Sequence, residues 1–117
     1  MRWFLAGAVG YPLLELAARG RTHYSMAIAG GCGGAILGRL CRSRWPLAVR
    51  AVLGGAGITF VEAAAGLVWN RKYRIWDYRR CACNWRGQVC LGYSLLWTGI
   101  SAAVLAADGA VRRGPRR

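Results

Sequence analysis

Only four acids, Glu15, Glu62, Asp77 and Asp108, stand against 17 Lys and Arg in this chain. Each carboxylate therefore needs a reason for its position. Glu62 has the most demanding one: it lies in the run Gly57-Ile-Thr-Phe-Val-Glu-Ala-Ala-Ala-Gly66, and seven residues separate it from the next polar side chain, Asn70. A carboxylate that deep in apolar helix must be protonated, paired, or solvated by a cavity. Its role is either a binding or proton-carrying one or a hydrogen-bonded tie between helices. Glu15 is less demanding, because Arg19 follows at i+4 in the favourable acid-to-base order. Further along, Trp76-Asp77-Tyr78 sits in an Arg-rich connection. Such a segment suits the headgroup zone, where aromatic rings anchor and guanidinium groups meet phosphate. The same residues, with Trp69 and Trp85, can instead cap a pocket and offer ring faces to a cation. Glu15, Arg19, Arg21, His23, Glu62, Asp77 and Asn84 then form a mixed-charge pocket near one face, where His23 adds pH sensitivity only in company with both glutamates.

The elements that must position these residues follow from hydropathy. The chain of 117 residues is 56% hydrophobic with a positive mean hydropathy, yet carries a net charge of +13. Charge is clustered between apolar runs rather than scattered over one side of each element. This predicts an all-α, polytopic membrane fold with four transmembrane helices at about residues 3–18, 24–40, 46–69 and 89–107. Residues 1–110 form a single membrane domain, and 111–117 a basic, disordered tail. A soluble enzyme is a poor fit, and with no nucleophile placed beside a base no catalytic residues are expected. Nucleic acid is not an expected partner, since the arginines end apolar runs instead of lining a helix face. The first segment resembles no cleavable signal, as Glu15 and Arg19 interrupt it. Five cysteines imply no disulfide framework, and Cys81-Ala-Cys83 lacks metal-site spacing, so neither a metal nor a cofactor is expected.

Pro12 is expected to bend the first helix. The second carries Gly30, Gly34 and Gly38 at small-xxx-small spacing, a face for close helix packing through which an oligomer would form. Pro46 opens the third helix, and Asp108-Gly109 stops the fourth. Aligning i with i+47 superposes Val9–Arg19 on Ala56–Gly66 and Glu15 on Glu62, a weak repeat that suggests two repeated helical hairpins. Both glutamates then face the same side of the membrane. Lys and Arg number nine on the N-terminal side against eight on the other, which leaves orientation open and allows a dual-topology dimer.

Thr59-x-x-Glu62-x-x-x-Gly66, Trp76-Asp77-Tyr78 and Asn84-x-x-Gly87-Gln88-x-Cys90-Leu91-x-x-Ser94-x-x-Trp97 together resemble the signature of the type IV ABC-transporter family of CmpB-like integral membrane proteins, in which animal transmembrane protein 229 is also placed. Gly10-Tyr-Pro-Leu-Leu-Glu15 and Arg19–Met26 resemble the first half of its shorter bacterial members. Arg79 departs from the family's usual Ser after Trp-Asp-Tyr, and Cys81 and Cys83 are private to this chain. The resemblance implies a membrane protein in the bacterial cytoplasmic membrane with a transport role. Having no Walker-type phosphate loop, the chain does not hydrolyse ATP by that route. The expected function is a permease-like component whose carboxylate pocket, Glu15, Glu62, Arg19, His23, Trp76, Asp77, Tyr78 and Asn84, binds a small solute or cation. The alternative is a non-transporting interaction protein that holds anionic lipid or a partner membrane protein.

Overall fold

A computed structural model describes residues 2–20, 23–73 and 75–112, the side chain of Arg19 excepted. Arg21, Arg74 and residues 113–117 of the expected tail lie outside the described residues, as does the Arg19 side chain expected to pair with Glu15. Four helices account for most of the chain: α1 (Arg2–Arg19), α2 (Tyr24–Cys41), α3 (Leu47–Trp69) and α4 (Leu91–Arg112). The all-helical architecture is as expected, with one addition. The connection from α3 to α4 holds a short antiparallel hairpin, β1 (Asn84–Trp85) and β2 (Val89–Cys90), in the register Asn84↔Cys90 and Trp85↔Val89.

Helix α1 runs unbroken through Pro12. Helix α2 starts where His23 caps it, Nδ1 accepting from the Ser25 N–H at 3.1 Å. Pro46 is the residue before α3 rather than part of its first turn. The fourth helix differs from expectation at both ends. Val89 and Cys90 are drawn into β2, so the helix begins at Leu91. It then continues past Asp108-Gly109 because Asp108 pairs with Arg112 one turn on, at 2.9 Å. Helices α3 and α4 are long and apolar enough to cross a membrane; α1, interrupted by Glu15, and the glycine-rich α2 fall short of that measure.

Packing is pairwise. Helices α1 and α2 form one hairpin and α3 and α4 the other, with α2 joining α3 between them. In the first hairpin the joint is made of glycine: a Cβ on Gly7 or Gly30 would strike the backbone of the facing helix, one on Gly34 the Trp3 carbonyl, and one on Gly38 the Trp3 ring. The packing face at Gly30, Gly34 and Gly38 is thus occupied by α1 of the same chain, so it is not open to a second copy. In the other hairpin Gly54 meets Ser101, Gly55 meets Thr98, and the Thr59 and Ser94 hydroxyls lie 2.9 Å apart. Two small cores result, Met26, Ala65 and Trp76 toward the hairpin end and Leu37, Cys41 and Leu105 toward the other. Large apolar side chains cover the outside of the bundle, among them Leu5, Val9, Leu13, Val52, Phe60 and Leu95.

Candidate functional site

Between the two hairpins lies a cavity of about 280 Å³. It exists because one wall has little side chain to fill it: Gly7, Gly10, Gly30, Gly33 and Gly34 all line it, while Trp3, Tyr11, Trp76 and Trp97 supply rings. Tyr11 of α1 reaches across to α4 and meets Trp97 edge-on, centroids 5.5 Å apart. Among the described lining residues Glu62 is the one with a formal charge.

Glu62 is 7% exposed. Tyr78 donates its hydroxyl to Oε2 at 3.2 Å, and Trp97 donates Nε1–H to Oε1 at 3.4 Å. Two long hydrogen bonds leave much of a carboxylate's accepting capacity free. Tyr78 is held in place by stacking on Tyr93, centroids 4.5 Å apart. Burial first, and then the Glu62 charge, push the Tyr78 phenol above the ordinary tyrosine range, so it stays an O–H donor at any physiological pH. Glu15 is also buried, and lies near enough for its charge to act on Glu62. The pairing of the two glutamates by the repeat is thus matched by proximity in space.

The strap over this end, residues 70–90, is held by a second polar cluster. Asn70 is fully buried; its Nδ2 donates to the Trp76 carbonyl at 2.6 Å and to Gln88 Oε1 at 2.9 Å, and its Oδ1 accepts from the N–H groups of Ile75 and Trp76 at 2.8 and 3.1 Å. Gln88 returns a bond to the Asn70 carbonyl at 3.1 Å, and its own carbonyl accepts from Trp76 Nε1 at 2.8 Å. These bonds fix the Trp76 ring in the cavity wall.

Of the residues expected at the pocket, Glu62 and Trp76 line the cavity, Tyr78 bonds Glu62 and Glu15 lies near it, and three do not join them. His23 is spent on the cap of α2 and on Ser25, whose Oγ lies 2.8 Å away. Asp77 points outward and takes a two-point contact from Arg79 at 2.9 and 2.7 Å, which holds its carboxyl down to about 2. Arg79 in turn stacks on Tyr73, 4.1 Å from the ring centroid. Asn84 shapes the hairpin, donating to the Cys81 carbonyl and accepting from the Gly87 N–H, both at 2.9 Å. Trp85 is also no cap, lying exposed under Arg86, and Trp69 packs on Tyr24. Tyr11 and Trp97 belong to the site though neither was expected there. Tyr11 stands four residues before Glu15, on the same helix face, and Trp97 closes the motif that begins at Asn84.

The family model described as Putative ABC-transporter type IV matches residues 19–108. The chain belongs to that family. As a member of it, the chain is an ABC-transporter-related membrane protein, and the matched stretch contains Glu62, Tyr78 and Trp97, while Tyr11 and Glu15 precede it. No curated protein and no solved structure matches the chain. Among the described residues no group of three His, Cys, Asp or Glu is placed to hold a metal ion.

Proposed function

We propose that this chain is a permease-like membrane component of four spans whose inter-hairpin cavity binds a small cation bearing apolar groups, with Glu62 as the counter-charge. The single observation that carries this reading is the Glu62 carboxylate on the wall of an otherwise apolar, aromatic-lined cavity. An organic ammonium suits such a site, because ring faces attract it and the carboxylate neutralises it. Glu15 lies near enough for its charge to act on Glu62, and Trp76 bounds the end of the cavity nearest the strap. Four spans are supported by the apolar exteriors of the helices and by dimensions. Eighteen residues of helix rise about 27 Å, close to the roughly 30 Å of a bilayer core, and the molecule is 53 Å long. A homo-oligomer in the bacterial cytoplasmic membrane fits so small a chain, and it would form through the outer apolar faces. We read no catalysis into the site, since it offers a counter-charge and donors but no nucleophile beside a base.

The test is thermal stability in detergent against a panel of metal ions, tetramethylammonium, tetraethylammonium and amino acids, with Glu62→Gln beside the parent. A bound ligand raises the midpoint by mass action, and the expected result is a rise with an organic cation that Glu62→Gln abolishes. Equal shifts in both proteins would overturn the reading. A second reading is favoured by the exposed basic rim Arg71, Lys72, Arg80 and Arg86. On that reading the chain is an interaction protein holding anionic lipid, and stabilisation comes from phosphatidylglycerol alone, whether or not Glu62 is present.

A further inference from the structure

The strap contains a pair of sulfurs that the cavity does not use. Cys81 stands three residues after Tyr78, and its N–H closes a turn on the Tyr78 carbonyl at 2.9 Å. Cys90 ends β2, one residue before α4, with Asn84 as its partner across the hairpin. Asn84 binds the Cys81 carbonyl at 2.9 Å, so one residue ties the Cys81 backbone to the strand that faces Cys90. The hairpin folds back through Arg86 and Gly87, both in left-handed conformation at φ 54° and 68°. The result sets the Cys81 and Cys90 side chains on neighbouring parts of the hairpin, near enough for each to act on the other. Both are free thiols in this structure; Cys81 is partly exposed, Cys90 is buried, and Cys83 points to the outside.

We infer that Cys81 and Cys90 are a dithiol that closes to a disulfide, clasping the strap to the start of α4 beside the Tyr78–Tyr93 stack. The partly exposed Cys81 is the sulfur an external disulfide reaches. Its thiolate attacks one sulfur of the donor, releasing a thiol and leaving a mixed disulfide on Cys81. The Cys90 thiolate then attacks Cys81 Sγ and expels the second donor thiol. Two cysteine thiols thus lose two electrons and two protons, and one donor disulfide becomes two thiols. The position of the clasp gives it a consequence. Tyr78 donates to Glu62 from the strap, whereas from α4 Trp97 donates to the same carboxylate and Tyr93 stacks on the Tyr78 ring. A bond between Cys81 and Cys90 joins those two supports covalently, fixing Tyr78 on Glu62.

The inference rests on the hairpin alone and stands whether or not the cavity binds a cation. Its test is the full chain in detergent, treated with oxidised glutathione, capped with iodoacetamide and digested with trypsin without reductant. Cleavage after Arg80, Arg86 and Arg112 separates Cys81–Arg86 from Gly87–Arg112, and the expected result is that these two peptides stay joined. The link should survive Cys83→Ser and vanish in Cys81→Ser, a substitution at a partly exposed site. Hydrogen exchange of strap amides 76–90 should slow by about tenfold or more on oxidation of the parent and remain unchanged in Cys81→Ser treated alike. Two separate peptides with all thiols alkylated, or a link that persists in Cys81→Ser and is lost in Cys83→Ser, would overturn the inference.

Discussion

Two polar clusters sit a few residues apart at the strap end of the bundle, and they are built in opposite ways. Around Asn70 every side-chain donor and acceptor is used, at 2.6–3.1 Å, with no solvent contact. Around Glu62 the two hydrogen bonds are 3.2 and 3.4 Å long, and the carboxylate borders open space. A saturated buried amide has nothing left to offer a ligand, so its work is to specify the fold. A carboxylate with spare acceptors beside a cavity is the one available for binding. Burial is common to both; what separates structure from function here is residual hydrogen-bonding capacity.

The comparison is most severely tested at its structural half. Asn70→Ala removes four side-chain hydrogen bonds, among them the Oδ1 acceptor that the Ile75 and Trp76 N–H groups share, so stability in detergent should fall by about 3–4 kcal/mol. Next comes Gly66→Ala, whose Cβ would collide with the Gln88 amide that Asn70 holds. It should cost about 1–3 kcal/mol by thermal or urea unfolding, and its effect should fall well short of additive with Asn70→Ala, because the same amide is lost in both. Glu62→Gln keeps an acceptor for Tyr78 and the same shape, so stability should change by less than about 1 kcal/mol while organic-cation binding disappears. The reverse outcome, Glu62→Gln unfolding the protein and Asn70→Ala leaving it intact, would invert the assignment.

The smallest effect is expected at Asp77, outside both clusters. Its carboxyl is lowered from 3.8 to about 2 by Arg79. A depressed acid contributes stability above its unfolded value, and that contribution is lost as pH falls from about 4 through 2. Asp77→Asn should therefore change the unfolding midpoint little at neutral pH, as expected of an exposed pair. Whatever difference exists should close at pH 2. A difference that grew on acidification would mean that Asp77 is not the group paired with Arg79.

Much of this was legible in the residues. Apolar runs bounded by arginine gave the first three helices to within one residue and the fourth to within two at its start and five at its end, and the isolation of Glu62 in Gly57–Gly66 singled out the cavity carboxylate. The i+47 match brought Glu15 to it. The hairpin was not legible, because two-residue strands have no periodicity and Val89-Cys90 reads as the start of an apolar helix. Nor was Asn70, a single amide at a helix end whose partners lie 6 and 18 residues away. Asp77 misled because its placement between Trp76 and Tyr78 looked purposeful, whereas a chain without regular structure sends neighbouring side chains to opposite sides. The glycines of α2 were recognised as a packing face, but hydropathy alone does not say whether the partner is another copy or α1.

The central claim is that Glu62 is a reachable carboxylate in a cation-binding cavity. Dicyclohexylcarbodiimide, which couples to carboxyl groups in apolar surroundings, tests it on the unaltered protein by tryptic mass mapping. The account predicts an adduct on the peptide Ala51–Arg71, at Glu62, and its suppression by tetraethylammonium. An unmodified Glu62, or an adduct whose yield no cation alters, would contradict it.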